Sequence, residues 1–400
     1  MEIESLPRKI ERVTARSILN SHAEYTYEFI IELSNGNIGV GSSPKGETIS
    51  VYEDRKTRSN AEEILNTIRS DSSLKAPITQ SQFDHFLEAR IGSFGRNNCW
   101  ALSLAFFNAT QYPPTRLWPK ESKEAKKGFP RLCLNILNGG EHAYTNPVRS
   151  DFPEFLVVPK FDDVSRVIKD HATIQSEVHE RLAPLERSFV NKNPVYHLGA
   201  GTNDDCMIFL QEVMDRVGLS SHYEMMIDAS AGDLLVGKGY KFSVTDGSTR
   251  SSNDLLDYWL EKIDDYDIGF LEDPFGELDV ESWRAICDRQ SRCRIIGDNF
   301  YSSDAGRIEK GARDRCTNGV IIKPNQAGTV SSVVRAIEVS RSTGQIAITS
   351  HRSISTESTF LSVLTVMGNV GYMKIGPLFT DYSSVMRLNE LIRLTGDTLG

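Results

Sequence analysis

Short apolar runs alternate with amphipathic segments along the C-terminal part of the chain. Each run ends in polar residues, as in EMMIDAS, IGFLEDPF, RIIGDNF, GVIIKPNQ, IAITSHRS and YMKIGP. Segments with helical spacing lie between them, for example DLLDYWLEKIDDY and VSSVVRAIEVSRST. Continuous apolar strands that alternate with helices are typical of a parallel sheet covered on both faces, so this pattern predicts an α/β fold.

The polar residues that close these runs are regularly spaced. Intervals of 44, 26, 25, 28 and 23 residues separate Asp228, Glu272, Asp298, Lys323, His351 and Lys374. The repetition of one strand and one helix favours a closed, modified (β/α)8 TIM-type barrel over an open sheet. In such a barrel the carboxyl ends of the strands meet at one mouth, so we expect these side chains to gather there.

A different pattern occupies the first third of the chain. YTYEFIIEL alternates apolar and polar residues, and SNGN supplies a turn before IGVG, which predicts an antiparallel hairpin over residues 25 to 41. AEEILNTIRS, SQFDHFLEARI and CWALSLAFFNAT have helical spacing. The charged stretch PKESKEAKKGF lacks apolar periodicity. A boundary placed there predicts an N-terminal α+β capping domain over residues 1–124 and a barrel domain over residues 125–400, which begins with the apolar runs LCLNIL and PEFLVVP.

Composition narrows the classes of function. The formal net charge is −9, and the absence of a long basic run argues against a nucleic-acid-binding surface. No apolar stretch reaches the length of a transmembrane helix, and MEIESLPRKIER lacks the apolar core of a signal peptide. The six cysteines show neither CxxC nor zinc-like spacing. We therefore expect a soluble, cytoplasmic protein without nucleic-acid or membrane partners.

The acidic residues at the predicted mouth point to a metal. Asp228, Glu272 and Asp298 would repel one another there without a counter-ion. Ligation by oxygen atoms alone suits Mg²⁺, and the lack of Cys or His among the three disfavours zinc. The sequence therefore predicts a magnesium site.

The basic residues at the same mouth suggest proton transfer. Lys323 and Lys374 end later strands, and we expect each other's charge, the cation and partial burial to lower their pKa values. A neutral lysine can serve as a general base. A lysine that faces a metal-bound acid is suited to removing the proton α to a carboxylate.

With these acidic and basic residues in place, the chain resembles the enolase (phosphopyruvate hydratase) family over nearly its whole length. ARSILNSHAEYTYEF resembles the family's N-terminal Ala-Arg-x-Ile-Leu-Asp-Ser-Arg-Gly-Asn-Pro-Thr stretch, and LNILNGGEHA resembles Asn-Val-Ile-Asn-Gly-Gly-Ser-His-Ala. IDAS, LEDPF, GDNF, KPNQAGT, SHRS and MKIGP follow in the family's order. Enolase-superfamily sites are themselves an example of a base acting opposite Mg²⁺. The resemblance implies a Mg²⁺-dependent lyase of glycolysis that acts on a small phosphorylated acid and assembles at least as a dimer.

The resemblance also implies roles for single residues around the metal. Asp228, Glu272 and Asp298 would hold Mg²⁺. Lys323 would be the base at C2, and Lys374 would bind the substrate carboxylate.

Further matching residues concern the rest of the substrate. Arg352 and Ser353 match the family's phosphate-binding pair, a guanidinium beside a hydroxyl. Thr48, in the lid-like loop SSPKGETIS, falls where the family offers a serine to a second Mg²⁺. His351 and His142 would line the pocket, and Glu154 matches the first glutamate of the family's acid pair.

The second glutamate of that pair is missing. Leu198, in VYHLGAGTND, occupies its place in the simplest alignment, and Pro153 replaces the glutamine before Glu154. Three readings remain open. Asp204 or Asp205 restores the acid in a divergent enolase. Alternatively, the protein makes an enolate from a similar phosphorylated acid but expels a different group that needs no acid, and carboxyphosphonoenolpyruvate synthase is a precedent for changed chemistry on this scaffold. In the third reading the protein binds a phosphorylated ligand or a protein partner without turnover.

Overall fold

The computed structural model describes residues 6–46, 49–53, 59–110, 128–140, 145–190, 193–378 and 381–395. In these ranges no helix is long and apolar enough to cross a membrane. The cysteines are free thiols, and most of them are buried.

The described residues form strands and helices in the following order. The strands are β1 (Ile10–Leu19), β2 (Tyr25–Leu33), β3 (Ile38–Ser42), β4 (Arg131–Asn138), β5 (Glu154–Pro159), β6 (Arg187–Val190), β7 (Asn193–Tyr196), β8 (Tyr223–Asp228), β9 (Leu235–Val236), β10 (Gly239–Lys241), β11 (Thr249–Arg250), β12 (Ile268–Glu272), β13 (Arg294–Gly297), β14 (Gly319–Ile322), β15 (Ile346–Ser350) and β16 (Tyr372–Lys374). The helices are α1 (Ala61–Ser70), α2 (Gln80–Glu88), α3 (Ile91–Phe94), α4 (Arg96–Thr110), α5 (Val164–Leu182), α6 (Asn203–Arg216), α7 (Ser252–Tyr266), α8 (Val280–Arg289), α9 (Ala305–Arg313), α10 (Pro324–Ala327), α11 (Val330–Ser342), α12 (Phe360–Met367) and α13 (Tyr382–Thr395).

An antiparallel sheet, in the order β1-β2-β3, and helices α1 to α4 form the N-terminal part. The predicted hairpin is confirmed as β2 and β3, and β1 adds a third strand to it. Strand β3 packs closely on α4, because a Cβ atom at Gly39 would collide with the carbonyl oxygen of Ala105. Apolar residues of the sheet and of these helices form a core of their own.

The C-terminal part is a closed barrel in the order β12-β13-β14-β15-β16-β4-β5-β8, which confirms the predicted fold. Its strands are parallel except β5, which pairs antiparallel with both β4 and β8. The expectation of parallel strands throughout is therefore wrong for PEFLVVP. An apolar run indicates burial on both faces but does not indicate the direction of the strand. The barrel has two apolar cores. The larger one lies between the strands and the surrounding helices, and the smaller one fills the inside of the barrel.

Polar contacts, buried at Asp84 and exposed at Glu88, join the two parts. Asp84 of α2 accepts hydrogen bonds from the backbone N–H and the hydroxyl of Ser331, at 2.8 and 2.7 Å, in the first turn of α11. Glu88, one helical turn later, accepts from the hydroxyls of Thr329 and Ser332 at 2.9 and 2.6 Å. Carboxylates are favourable at a helix N-terminus, so α2 holds the start of a barrel helix. The boundary predicted between residues 124 and 125 lies outside the described residues and stays a prediction.

Candidate active site

Three carboxylates lie where neighbouring barrel strands end. Asp228 is the last residue of β8 and Glu272 the last of β12, and the two are partners in the register of these strands. Asp298 directly follows β13, the next strand of the barrel. All three are buried. The mouth expected from the sequence pattern therefore holds these acids on adjacent strands.

Lys374 ends β16 and reaches across the mouth to the acids. Its Nζ lies 2.7 Å from Glu154 Oε2, 3.1 Å from Asp228 Oδ2 and 2.7 Å from Glu272 Oε2. Burial acts to lower the pKa of Lys374, but the carboxylates of Asp228, Glu154 and Glu272 outweigh it and raise that pKa well above its usual value. The expectation of a lowered pKa is therefore wrong for this lysine.

The pKa values of Glu272 and Asp228 are shifted in opposite directions at this mouth. Burial and the charge of Asp228 raise the pKa of Glu272 well above its usual range. Burial also acts to raise the pKa of Asp228, but Lys374 and Lys323 outweigh it, so this pKa is lowered. Neighbouring carboxylates that share a site cannot both ionise at their ordinary pKa values, which accounts for the difference.

Lys323 follows β14 and contacts the third acid. Its Nζ donates to Oδ2 of Asp298, and its backbone N–H donates to the hydroxyl of Ser303 at 2.8 Å. The amine at the end of this strand therefore faces a buried carboxylate that follows the neighbouring strand.

Glu154 reaches the mouth because its strand is reversed. It is the first residue of β5, and in this antiparallel strand its partner is Asp228, the last residue of β8. The side-chain amide of Asn135 on β4 donates to Glu154 Oε1 at 3.1 Å. In a parallel strand the same residue would lie at the opposite end of the barrel.

Asp273 supports the site, and it was missed in the sequence. Its two oxygens accept from the backbone N–H groups of Asp298, at 2.9 Å, and Asn299, at 2.7 Å. Burial, with the charges of Asp298 and Asp228, raises the pKa of Asp273 well above its usual range. The one available signal was the second acidic residue in LEDPF, directly after Glu272.

The SHRS stretch follows β15 on the same side. The backbone N–H of His351 donates to the Lys374 carbonyl oxygen at 3.2 Å. Burial, with the charges of Arg387 and Lys374, lowers the pKa of His351 well below its usual value, which favours a neutral ring. Arg352 is buried, and its Nη1 donates to Glu53 Oε2 at 2.9 Å.

A cavity of about 1270 Å³ opens at this mouth. Its barrel-side lining includes Glu154, Asp228, Lys323, His351, Arg352, Ser353 and Lys374. The N-terminal part contributes Asn20, Ser21 and His22. Glu272 and Asp298 contact the lining residues Lys374 and Lys323. The structure therefore places most of the predicted site residues around one space.

The donor set fits a hard cation. Glu272 Oε1 and Asp298 Oδ1 are buried and accept no hydrogen bond within the described residues. Such atoms are costly unless a ligand or an ion satisfies them, and carboxylate oxygens are what Mg²⁺ prefers. Among the described side chains, no three His, Cys, Asp or Glu are arranged to hold a metal as they stand. Lys374 and Lys323 contact Glu272 and Asp298.

Comparison with known proteins agrees with this geometry. Residues 126–400 match the family model of the enolase C-terminal TIM barrel domain. The chain belongs to the enolase family. It is 28% identical to the enolase of Anaplasma marginale (strain St. Maries), over 97% of this chain and 94% of that protein. It is also 28% identical to the enolase of Anaplasma phagocytophilum (strain HZ), over 98% of this chain and 95% of the relative. The protein is therefore an enolase-type lyase.

Two residues with roles implied by the resemblance to enolase, Thr48 and His142, lie outside the described residues. Their roles stay predictions.

The residue that the simplest alignment places at the missing enolase glutamate lies in an apolar environment. Leu198 is buried in the main barrel core and does not line the cavity. Nothing at this position therefore donates a proton.

The two aspartates that follow are engaged elsewhere. Asp204 Oδ2 lies 2.7 Å from Lys262 Nζ. Asp205 Oδ2 accepts from the backbone N–H and the hydroxyl of Thr202, at 2.8 and 2.7 Å, at the start of α6. Neither lines the cavity. The idea that one of them replaces the missing acid receives no support from these contacts.

Proposed function

We propose that the protein is a Mg²⁺-dependent enolase that removes the C2 proton of 2-phosphoglycerate and eliminates the C3 hydroxyl to give phosphoenolpyruvate. The observation that carries this proposal is the cavity in which Lys323, Lys374, Glu154, Arg352 and Ser353 converge beside buried carboxylates. A base, an acid, an anion site and an oxygen donor set are the parts that this elimination needs.

Lys323 is the proposed base. It lines the cavity, and its Nζ contacts Asp298, which holds the amine at a fixed place. In the neutral form this amine accepts the C2 proton.

Lys374 and the carboxylates are proposed to bind the carboxylate end of the substrate. Asp228, Glu272 and Asp298 would hold Mg²⁺, which would stabilise the negative charge that develops on the substrate carboxylate. The Nζ atom of Lys374 contacts two of these carboxylates and Glu154, so its ammonium group would add a second positive charge at the same place. Its cationic role and the basic role of Lys323 are thereby distinct.

Glu154 is proposed to act at the leaving hydroxyl. It is an ionisable group of the lining that is only partly buried, and Asn135 fixes one of its oxygens. Its protonated form would give a proton to the departing hydroxyl, which leaves as water. Loss of a general acid costs on the order of 10² to 10⁴ in rate, so one retained acid matters.

Arg352 and Ser353 are proposed to bind the phosphate. Both line the cavity, and a guanidinium binds phosphate oxygens through paired, charge-assisted hydrogen bonds. A cytoplasmic homodimer that acts in glycolysis completes the proposal, and this part rests on family membership alone.

A steady-state assay tests the proposal. Purified protein with Mg²⁺ and 2-phosphoglycerate should form phosphoenolpyruvate, and chelation of Mg²⁺ should abolish the reaction. Arg352→Lys should raise KM for this substrate by roughly tenfold or more, because a point charge replaces a planar fork. No product at saturating substrate and Mg²⁺ would refute this function.

A second function is favoured by the apolar environment of Leu198 and the engaged side chains of Asp204 and Asp205. With no second acid, a related phosphorylated or phosphonylated acid whose leaving group needs no protonation would suit the site, as in a carboxyphosphonoenolpyruvate-synthase-like enzyme. This alternative predicts C2 proton exchange with 2-phosphoglycerate but no elimination.

A further inference from the structure

A short segment of the N-terminal part, residues 49–53, lies on the barrel mouth. The hydroxyl of Ser50 donates to the carbonyl oxygen of Asn299 at 2.9 Å, and this serine is fully buried. The backbone N–H of Val51 donates to Glu277 Oε1 at 3.2 Å. Both barrel partners belong to loops that follow strands, so the segment contacts the side of the barrel that carries the candidate site.

The last residue of this segment, Glu53, makes a buried ion pair with Arg352. Nη1 of Arg352 lies 2.9 Å from Glu53 Oε2, and the two side chains are 4% and 11% exposed. The other oxygen, Oε1, accepts from the side-chain amide of Gln326 at 3.1 Å and from the Ser50 backbone N–H at 3.3 Å. All of these partners are donors, which fixes the carboxylate on both of its oxygens.

Glu53 contacts the guanidinium but is not part of the cavity lining. Arg352 lines the cavity, and Glu53 does not. Gly46, another lining residue, lies against the guanidinium, because a Cβ atom there would collide with Nη2 of Arg352. The carboxylate therefore holds the arginine without lining the cavity in which an anion would bind.

The same carboxylate is linked to the backbone of Lys323. The Ser303 hydroxyl accepts from the Lys323 N–H at 2.8 Å and donates to Gln326 Oε1 at 3.0 Å. The amide group of Gln326 then donates to Glu53. Ser303 and Gln326 are buried. A continuous chain of hydrogen bonds thus runs from the strand end that carries Lys323 to the guanidinium of Arg352, through a residue of the N-terminal part.

We propose that Glu53 is a positioning residue that orients the Arg352 guanidinium for a phosphate group in the cavity. This inference rests on the proposed function for the identity of the anion. Glu53 itself does not touch the ligand, and its effect passes through Arg352.

The direction in which Glu53→Gln changes phosphate affinity distinguishes this positioning role from a simple charge effect. Glu53→Gln removes a negative charge near the anion site, and charge alone would then tighten phosphate binding. In glutamine, however, one carboxylate oxygen is replaced by an amide nitrogen, which cannot accept a hydrogen bond from Arg352, Gln326 or Ser50. The guanidinium therefore loses its fixed orientation. We expect inorganic phosphate, measured by titration calorimetry, to bind about tenfold more weakly, because a charge-assisted hydrogen bond is lost.

Glu357→Gln is the matched control. Glu357, unlike Glu53, lines the cavity and is exposed, so its substitution removes a charge without touching this network. We expect it to leave phosphate binding unchanged or tighter. In an Arg352→Lys background, Glu53→Gln should cause no further loss of phosphate affinity, since there is no guanidinium left to orient.

Equal or tighter phosphate binding by Glu53→Gln would overturn the inference, as would the same loss in both backgrounds. A wild-type protein that does not bind inorganic phosphate would also overturn it. Wild-type protein that binds phosphate but does not convert 2-phosphoglycerate would refute the proposed function alone, and the Glu53 effect on phosphate binding would then decide the inference separately.

Discussion

Two groups of buried carboxylates in this protein have different partners. At the barrel mouth, Glu272 and Asp298 contact the amines of Lys374 and Lys323, and one oxygen of each acid has no hydrogen-bond partner in the part of the chain that the structure describes. At the contact between the two parts of the chain, no lysine or arginine of the described residues donates a hydrogen bond to Asp84. Hydroxyl, amide and backbone donors of Gln80, Ser103 and Ser331 use both of its oxygens instead.

This difference in partners distinguishes carboxylates that serve chemistry, Glu272 and Asp298, from one that serves structure, Asp84. A fully hydrogen-bonded carboxylate such as Asp84 is satisfied and holds two helices together. Carboxylates that contact lysine amines and retain oxygens without a hydrogen bond can bind an ion or a substrate. Substitutions at the mouth should therefore change activity, and substitutions at Asp84 should change stability.

The largest expected effect is that of Lys323→Ala. Removal of the base should slow deuterium exchange at C2 of 2-phosphoglycerate by on the order of 10² to 10⁴ or more, because the group proposed to take the proton is gone. NMR in D₂O measures this rate. Lys310→Ala, a change at an exposed lysine of α9, should leave the rate unaffected. An unchanged exchange rate in Lys323→Ala would remove this residue from the mechanism.

A smaller effect is expected for Asp298→Asn. Replacing one charged oxygen ligand with an amide should weaken Mg²⁺ binding by roughly tenfold or more, since Mg²⁺ prefers charged oxygens. Calorimetric titration with Mg²⁺ measures the affinity, with the exposed Asp288→Asn as the control. Equal affinities in the wild type and Asp298→Asn would contradict the assignment of the metal site.

The smallest effect concerns Asp84 and appears in stability alone. Burial raises the pKa of Asp84 to about 6. The folded state therefore binds this proton more tightly than the unfolded state does, and the contribution of Asp84 to the free energy of unfolding falls as pH rises from about 4 to about 6. Urea unfolding of the wild type and Asp84→Asn should show the wild type losing stability relative to the variant across this window.

Two results would contradict that prediction. One is a stability difference that stays constant between these pH values, and the other is a difference that moves in the opposite direction. Activity per folded molecule should be the same in both proteins, because Asp84 lies away from the cavity lining.

Much of the barrel and of its mouth could be predicted, because strand periodicity places Asp228, Glu272, Lys323 and Lys374 at the same end of parallel strands. The reversal of β5 could not, since an apolar run has no direction. The helical pattern around Asp84 does not predict that this residue contacts the first turn of α11. The contacts of Asp273 and Glu53 depend on loop paths, and the raised pKa of Lys374 depends on three acids reaching one amine.

The most direct test of this account is an incubation of the protein with 2-phosphoglycerate and Mg²⁺ in D₂O, followed by NMR. The account predicts phosphoenolpyruvate together with deuterium at C2 of the remaining substrate. Deuterium without phosphoenolpyruvate would support the base and favour a different leaving group. Substrate that stays fully protonated, with no product, would contradict the claim that this mouth removes a proton α to a carboxylate.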